Sequence, residues 1–341
     1  MLERIAIIGA GNVGTAAALA IAREELAHEI VLVDVRPGWA QGIALDIQHA
    51  GPLEGFDTRL TGSEDTAALA GAELVIITAG SPRRPGMSRS DLLAANLAIQ
   101  DPVLDAIVRH APQSLILQVA NPADILTWNA HVRTGWPRQR ILGLSGVLDS
   151  ARMAAFIAEE AGCSVRNVTA MVIGGHGDTM VPLVEYSYVN GIPIAEFLDP
   201  ARIARLSERT CRAGSEILQL KREGTAHIAP GAAIAQTVDA IANDRQRILP
   251  GIAILEGEYG VSGMAMCVPC QLGRRGMEQI VTLPLTDHEQ ALLARSIADI
   301  RRDLQRLSAL REAAPRPGPD EPAGTTHPGQ PARAQAESPP R

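Results

Sequence analysis

Through the first 145 residues, short β-branched runs alternate with stretches rich in alanine and leucine. Arg4 to Ile8, Ile30 to Asp34, Leu74 to Thr78 and Leu115 to Val119 are the strand candidates, and such alternation with helical patterns argues for βαβ units around a parallel sheet. The apolar run from Leu74 to Gly80 reads as a buried parallel strand. A helix is predicted from Ser90 to His110, but Pro102 cannot donate its backbone hydrogen bond and is expected to kink or split it near Gln100.

After about residue 150 the pattern changes to longer helices mixed with shorter strands, which predicts a second, α+β domain. Near the end, Thr286 and Glu289 have capping-box spacing, and Leu293, Ile297, Ile300, Leu304 and Leu307 recur every three or four residues. This predicts an amphipathic helix ending near Glu312. Residues 315–341 hold eight prolines and almost no large apolar side chain, so they are expected to form a disordered tail. The predicted organisation is 1–145, a doubly wound sheet of the Rossmann type; 146–314, an α+β catalytic domain; and 315–341, the tail.

Composition narrows the class. The chain has 341 residues and is 46% hydrophobic, enough to bury a large core. A net charge of -7 with no basic run gives a nucleic-acid surface no electrostatic support. No stretch of 18 apolar residues appears, so no membrane span is predicted. The apolar start behind Arg4 is punctuated by glycines and preceded by Glu3, which argues against a cleaved signal. Cys163, Cys211, Cys267 and Cys270 are too few and scattered for a disulfide scaffold, and cytoplasmic thiols are the expectation. Cys267 and Cys270 have redox-motif spacing but sit in an apolar stretch rather than at a helix start, so neither a redox nor a metal role is assigned.

Three groups of residues carry chemistry. Gly9-Ala10-Gly11-Asn12-Val13-Gly14 follows the first strand and opens an alanine-rich helix, the context in which such glycines cradle a pyrophosphate. Asp34 ends the second strand twenty residues after Gly14, where a carboxylate accepts from both ribose hydroxyls and repels a 2′-phosphate. That favours NAD over NADP, with Arg36 as a counter-argument. Next, Arg83 and Arg89 lie on a loop at a strand's carboxyl end, where open α/β sheets bind ligands. Guanidinium forks match carboxylates, and two of them imply an anion of more than one charge. A solvated basic loop is the plain alternative. Finally, His176 stands between glycines in Gly174-Gly175-His176-Gly177-Asp178. Asp149 is placed to orient its ring, and Arg152 shares a helical face with Asp149.

Together these residues resemble the lactate/malate dehydrogenase family, with GAGNVG, ITAGSPRRPGMSRSDLL, ANPADILT, GVLDSAR and GGHGDTMVP in the family's order from Arg4 to about Leu310. Within it the chain is most similar to the bacterial malate dehydrogenases that resemble lactate dehydrogenases. The resemblance implies reversible hydride transfer between (S)-malate and NAD, giving oxaloacetate and NADH, without a metal, in a homotetramer or homodimer. It implies His176 as proton donor and acceptor, Asp149 as its orienting partner and Arg152 as the anchor of the C1 carboxylate. Arg89 would polarise the carbonyl and Asn121 would hydrogen-bond the reacting oxygen. Gly9, Gly11, Asn12, Gly14, Asp34, Asn96, Val119 and Asn121 would hold the cofactor. Arg83 would read the distal carboxylate, because lactate-specific members usually carry Gln there. Gly175, Met180, Val181 and Ala229-Pro230 also look malate-like, whereas His227, in place of an expected tyrosine, and Leu144-Ser145 depart from the pattern. A lactate or other 2-hydroxy acid dehydrogenase is the alternative within the class. A metal-dependent NAD glycosidase and a silent NAD sensor are the rivals outside it.

Overall fold

The computed structural model describes residues 1–82, 87–222 and 224–313. The first half runs β1 (Leu2–Ile8), α1 (Asn12–Arg23), β2 (Ala27–Val33), α2 (Trp39–Glu54), β3 (Arg59–Ser63), β4 (Leu74–Ile77), α3 (Arg89–His110), β5 (Leu115–Gln118), α4 (Ala123–Thr134) and β6 (Ile141–Gly143). The second runs α5 (Gly146–Ala161), β7 (Val168–Ile173), β8 (Val181–Val189), β9 (Ile192–Pro193), α6 (Pro200–Lys221), α7 (Ile228–Ala242), β10 (Arg247–Glu256), β11 (Ser262–Gly273), β12 (Gly276–Ile280) and α8 (Asp287–Ala313).

β1 to β6 are parallel in the order β3-β2-β1-β4-β5-β6. Alternate residues of one strand serve different layers. Ile5, Ile7, Ile30, Leu32, Leu74 and Ile76 enter one core, while Ala6, Ile8, Val31, Val33, Val75 and Ile77 enter another. Both faces of these strands are therefore covered, which is why their sequences read as continuous apolar runs. The order reverses between β1 and β4, so the loops after those two strands diverge and leave a crevice at their carboxyl ends.

The second half does not form a sheet wholly its own. β10, β11 and β12 extend the parallel sheet antiparallel, joined to it where Ile252 pairs with Gly143, while β7, β8 and β9 form a separate three-stranded sheet. The strands there are also not shorter, since β10 and β11 run 10 and 12 residues. Their patterns are masked by Pro250 and Pro269, which sit directly opposite each other in the register with their backbone groups turned away from the pair, the Pro269 carbonyl accepting instead from the Val281 N–H at 2.8 Å. β3 and β6 lay hidden among the expected strands because one contains glycine and serine and the other is three residues long.

Pro102 does not split its helix; α3 continues from Arg89 to His110 as one element. α8 starts at the expected box, with Thr286 Oγ1 accepting from the Glu289 N–H at 3.3 Å and Glu289 Oε2 accepting from the Thr286 N–H at 3.0 Å. It ends at Ala313, close to the expected Glu312, and buries Leu293, Ile300 and Leu307, each contributing roughly 1.5–3 kcal/mol of transfer free energy. The expected tail lies outside the described residues.

The junction between the halves leaves no space at Gly143. A Cβ there would lie 2.3 Å from Thr127 Oγ1 and 2.8 Å from Ile252 Cβ. Gly143→Ala is therefore expected to destabilise the fold by about 1–3 kcal/mol through overpacking, read as a lower urea midpoint with an unchanged slope. An unchanged midpoint would mean that the two halves are not locked at this residue.

Candidate active site

The cofactor side is built by the turn after β1. Gly9 has φ +100°, and a side chain there would drive its Cβ to 2.6 Å from the Ala79 backbone nitrogen. At Gly14 a Cβ would come 2.0 Å from the Gly9 carbonyl oxygen, so helix α1 can lie against the turn only without one. Gly11 differs: a Cβ would meet nothing within 4 Å. Two glycines thus serve packing, and the third leaves open space in front of a helix N-terminus that begins at Asn12 and has no side-chain cap. That combination fits a pyrophosphate.

Asp34 closes the far end of this turn. Its Oδ2 accepts from the Ala10 N–H at 2.9 Å, and Arg36 binds both carboxylate oxygens, Nε to Oδ1 at 2.9 Å and Nη2 to Oδ2 at 3.0 Å. The Arg36 hydrogen bonds hold the carboxyl below the ordinary range, against a burial that would raise it. Asn96, buried on α3, joins the loops after β4 and β5: it accepts from the Ser81 N–H at 2.6 Å and donates to the Asn121 carbonyl at 2.6 Å. Val119 is half-buried at the end of β5, two residues before Asn121.

On the substrate side, His176 follows β7 and lines a cleft with Arg89, Asn121, Asp124, Asp178 and Ile300. Its Nδ1 is 2.8 Å from Asp149 Oδ2. Asp149 lies in the first turn of α5, and its other oxygen accepts from Arg152 Nη1 at 3.0 Å one turn along. Arg152 Nε is buried with no hydrogen-bond partner among the described residues, a donor left available for an anion. Burial alone would lower the imidazole pKa; the charge and hydrogen bond of Asp149, with the charge of Asp124, outweigh it, and the net direction is up.

Two further side chains fix the histidine loop from outside its own strand. Asp124, in the first turn of α4, accepts from the His176 N–H at 2.9 Å, and Ser296 Oγ on α8 accepts from the Gly175 N–H at 2.6 Å. Asp124 is 7% exposed, its Oδ1 has no partner among the described residues, and burial pushes its carboxyl up to about 6. Neither residue was singled out from the sequence, although each left a signal. Asp124 is a carboxylate between apolar Ala123 and Ile125 in ANPADILT, and Ser296 is a polar residue on the buried stripe between Leu293 and Ile300.

Arg89, Asn121 and His176 are thus brought together in one cleft, and Asp149 and Arg152 join them through the Nδ1 contact of His176 without lining it, with Gly9, Gly11, Asn12, Gly14 and Asp34 at the neighbouring switch point. Arg83 lies outside the described residues. His227 stands at the N-terminus of α7 beside Lys221 and the Thr225 carbonyl and does not line the cleft. Leu144 and Ser145 are buried just before α5. Cys267 and Cys270 are buried free thiols on β11; burial pushes Cys270 up to about 12 and Cys267 well above the usual range, the opposite of an activated thiolate.

Residues 3–143 match the lactate/malate dehydrogenase NAD binding domain, and residues 146–310 match the lactate/malate dehydrogenase alpha/beta C-terminal domain. The chain belongs to the lactate/malate dehydrogenase family. It is 56% identical to the malate dehydrogenase of Thioalkalivibrio sulfidiphilus over 90% of this chain and all of that one. Among solved structures it is similar to malate dehydrogenase from Salinibacter ruber, with a TM-score of 0.87 at 43% identity over 91% of this chain and 99% of that one. A lactate dehydrogenase from Eimeria maxima with NADH and oxamate aligns with a TM-score of 0.88 at 33% identity, covering 93% and 98% of the two chains.

The Asp149 contact sets a pH test. Because the anion raises the imidazole pKa, Asp149→Asn is expected to lower the pH at which His176 loses its proton, read by proton NMR of its Cε1–H. An unmoved or raised midpoint would show that Asp149 does not set the charge on His176.

Proposed function

We propose that this chain is an NAD-dependent malate dehydrogenase, catalysing the reversible reaction of (S)-malate and NAD to oxaloacetate and NADH. The observation that carries the reading is the shared carboxylate of Asp149, which holds a histidine and an arginine side by side at the mouth of a dinucleotide-binding crevice. The 56% identity to a malate dehydrogenase supports the substrate class.

The nicotinamide, when bound, supplies or receives the hydride. The chain's own residues do the rest. Asp149 accepts from the Nδ1–H of His176, which leaves Nε2 to give a proton to the carbonyl oxygen of oxaloacetate or take one from the hydroxyl of malate. Arg152 holds the C1 carboxylate with the donors that Asp149 leaves available. Arg89, at the start of α3, and Asn121, beside Pro122, line the same cleft as His176 and stabilise the charge that develops on the reacting oxygen. Arg83 reads the distal carboxylate. Oxaloacetate then meets a cation at each end, whereas pyruvate leaves one unanswered.

The free thiols of Cys163, Cys211, Cys267 and Cys270 suit a reducing compartment, the cytoplasm, and we assign the chain to a homotetramer or homodimer. Side-by-side assay of NADH oxidation with oxaloacetate, pyruvate and 2-oxoglutarate tests the activity; preference for pyruvate would replace malate by lactate. Arg83→Gln is expected to lower the efficiency for oxaloacetate by about 10²-fold or more while leaving pyruvate unharmed, since stranding one partner of a desolvated ion pair costs roughly 3–5 kcal/mol. Equal losses for both substrates would show that Arg83 reads a feature they share.

A further inference from the structure

The adenosine end of the cofactor site holds an occupant of its own. A carboxylate offers about four acceptor sites, and all four on Asp34 are engaged: the Arg36 N–H and Nε on Oδ1, at 3.0 and 2.9 Å, and the Ala10 N–H and Arg36 Nη2 on Oδ2, at 2.9 and 3.0 Å. Two of these donors are backbone amides fixed by the loops. The other two belong to one guanidinium. A ribose diol can reach Asp34 only by replacing that guanidinium.

The guanidinium has a second contact that does not depend on Asp34. Its central carbon lies 4.1 Å from the centre of the Trp39 ring, and Trp39 is itself tied to the fingerprint turn by a 2.7 Å hydrogen bond from Nε1 to the Ala10 carbonyl. The ring gives Arg36 a cation–π seat that survives loss of Asp34. From this seat the fork stays beside the ribose, and forks of this shape bind phosphate in two parallel hydrogen bonds. Asp34 by itself would present a bare negative charge to a 2′-phosphate; Asp34 with Arg36 presents a neutral pair.

We propose that Arg36 determines how this site treats the ribose 2′ position, competing with the unmodified hydroxyls for Asp34 and, while held against Trp39, turning its fork from Asp34 to pair with a 2′-phosphate. NADPH is therefore admitted more readily than Asp34 alone would allow. The inference rests on the dinucleotide site and not on the identity of the 2-hydroxy acid, so it is tested by binding alone, without substrate.

The experiment measures dissociation constants of NADH and NADPH by cofactor fluorescence for the unmutated chain, Arg36→Ala and Arg36→Lys, with thermal melting as a check on folding. In Arg36→Ala, NADH is expected to bind as tightly as before or tighter and NADPH more weakly, raising the ratio of the two constants at least about tenfold, or about 1.4 kcal/mol. Arg36→Lys, which keeps the charge but not the fork, should fall between. A ratio that changes less than this, or equal weakening of both cofactors, overturns the proposal, the second by making Arg36 an anchor for a feature that both share. Failure of the unmutated chain to bind NADH would overturn the dinucleotide reading and this inference with it, whereas failure to turn over oxaloacetate would touch neither.

Discussion

Asp149 is almost fully buried, and it answers two cations at once: one oxygen faces His176 at 2.8 Å and the other Arg152 at 3.0 Å. A carboxylate taken that far from water is costly unless each oxygen is matched. The arrangement therefore ties the protonation of the imidazole to the orientation of the guanidinium. Arg152 answers one oxygen of Asp149, Asp149 fixes the ring and favours its protonated form, and the buried Arg152 Nε has no partner among the described residues.

That unit works only if the backbone carrying His176 does not move, and three separate parts of the chain hold it. Asp124 on α4 and Ser296 on α8 take the consecutive amides of His176 and Gly175, while Gly174 pairs back to back with Cys267 on β11 through bonds of 2.9 and 3.2 Å. The buried antiparallel extension of the sheet is in this sense part of the active site. It also gives the two cysteines a packing role that accounts for their burial.

Legibility in the sequence followed the range of the interactions. The glycine turn, Asp34 and the parallel strands were readable because their reasons are local: a tight turn, a helix start, a strand buried on both faces. His176 was readable only in company: its glycine neighbours marked it as accessible, helical spacing put Asp149 and Arg152 on one face, and the roles of the three came from the family resemblance. Asp124 and Ser296 were not, because their role is to meet a backbone amide 52 and 121 residues away in the chain, and side chains that serve distant amides leave only a polar residue on an apolar stripe. The extension by β10 to β12 was hidden for a related reason. Its prolines oppose each other at a register position whose backbone groups point away from the pair, as the Pro269 carbonyl does in accepting from the Val281 N–H, a placement invisible until the register is known. Arg36 was legible as a neighbour of Asp34 but not as its occupant.

The shared carboxylate makes a thermodynamic demand that can be measured without turnover. Oxamate, whose amide carbonyl does not accept hydride, should bind the NADH complex with its carboxylate on Arg152 and its carbonyl oxygen on protonated His176. Calorimetric titration in buffers of different ionisation enthalpy, at a pH about one unit above the point where His176 loses its proton, should therefore show uptake of close to one proton per site. Tight binding with no proton uptake would contradict the account, because the anion at Arg152 and the proton on His176 would then be independent of one another.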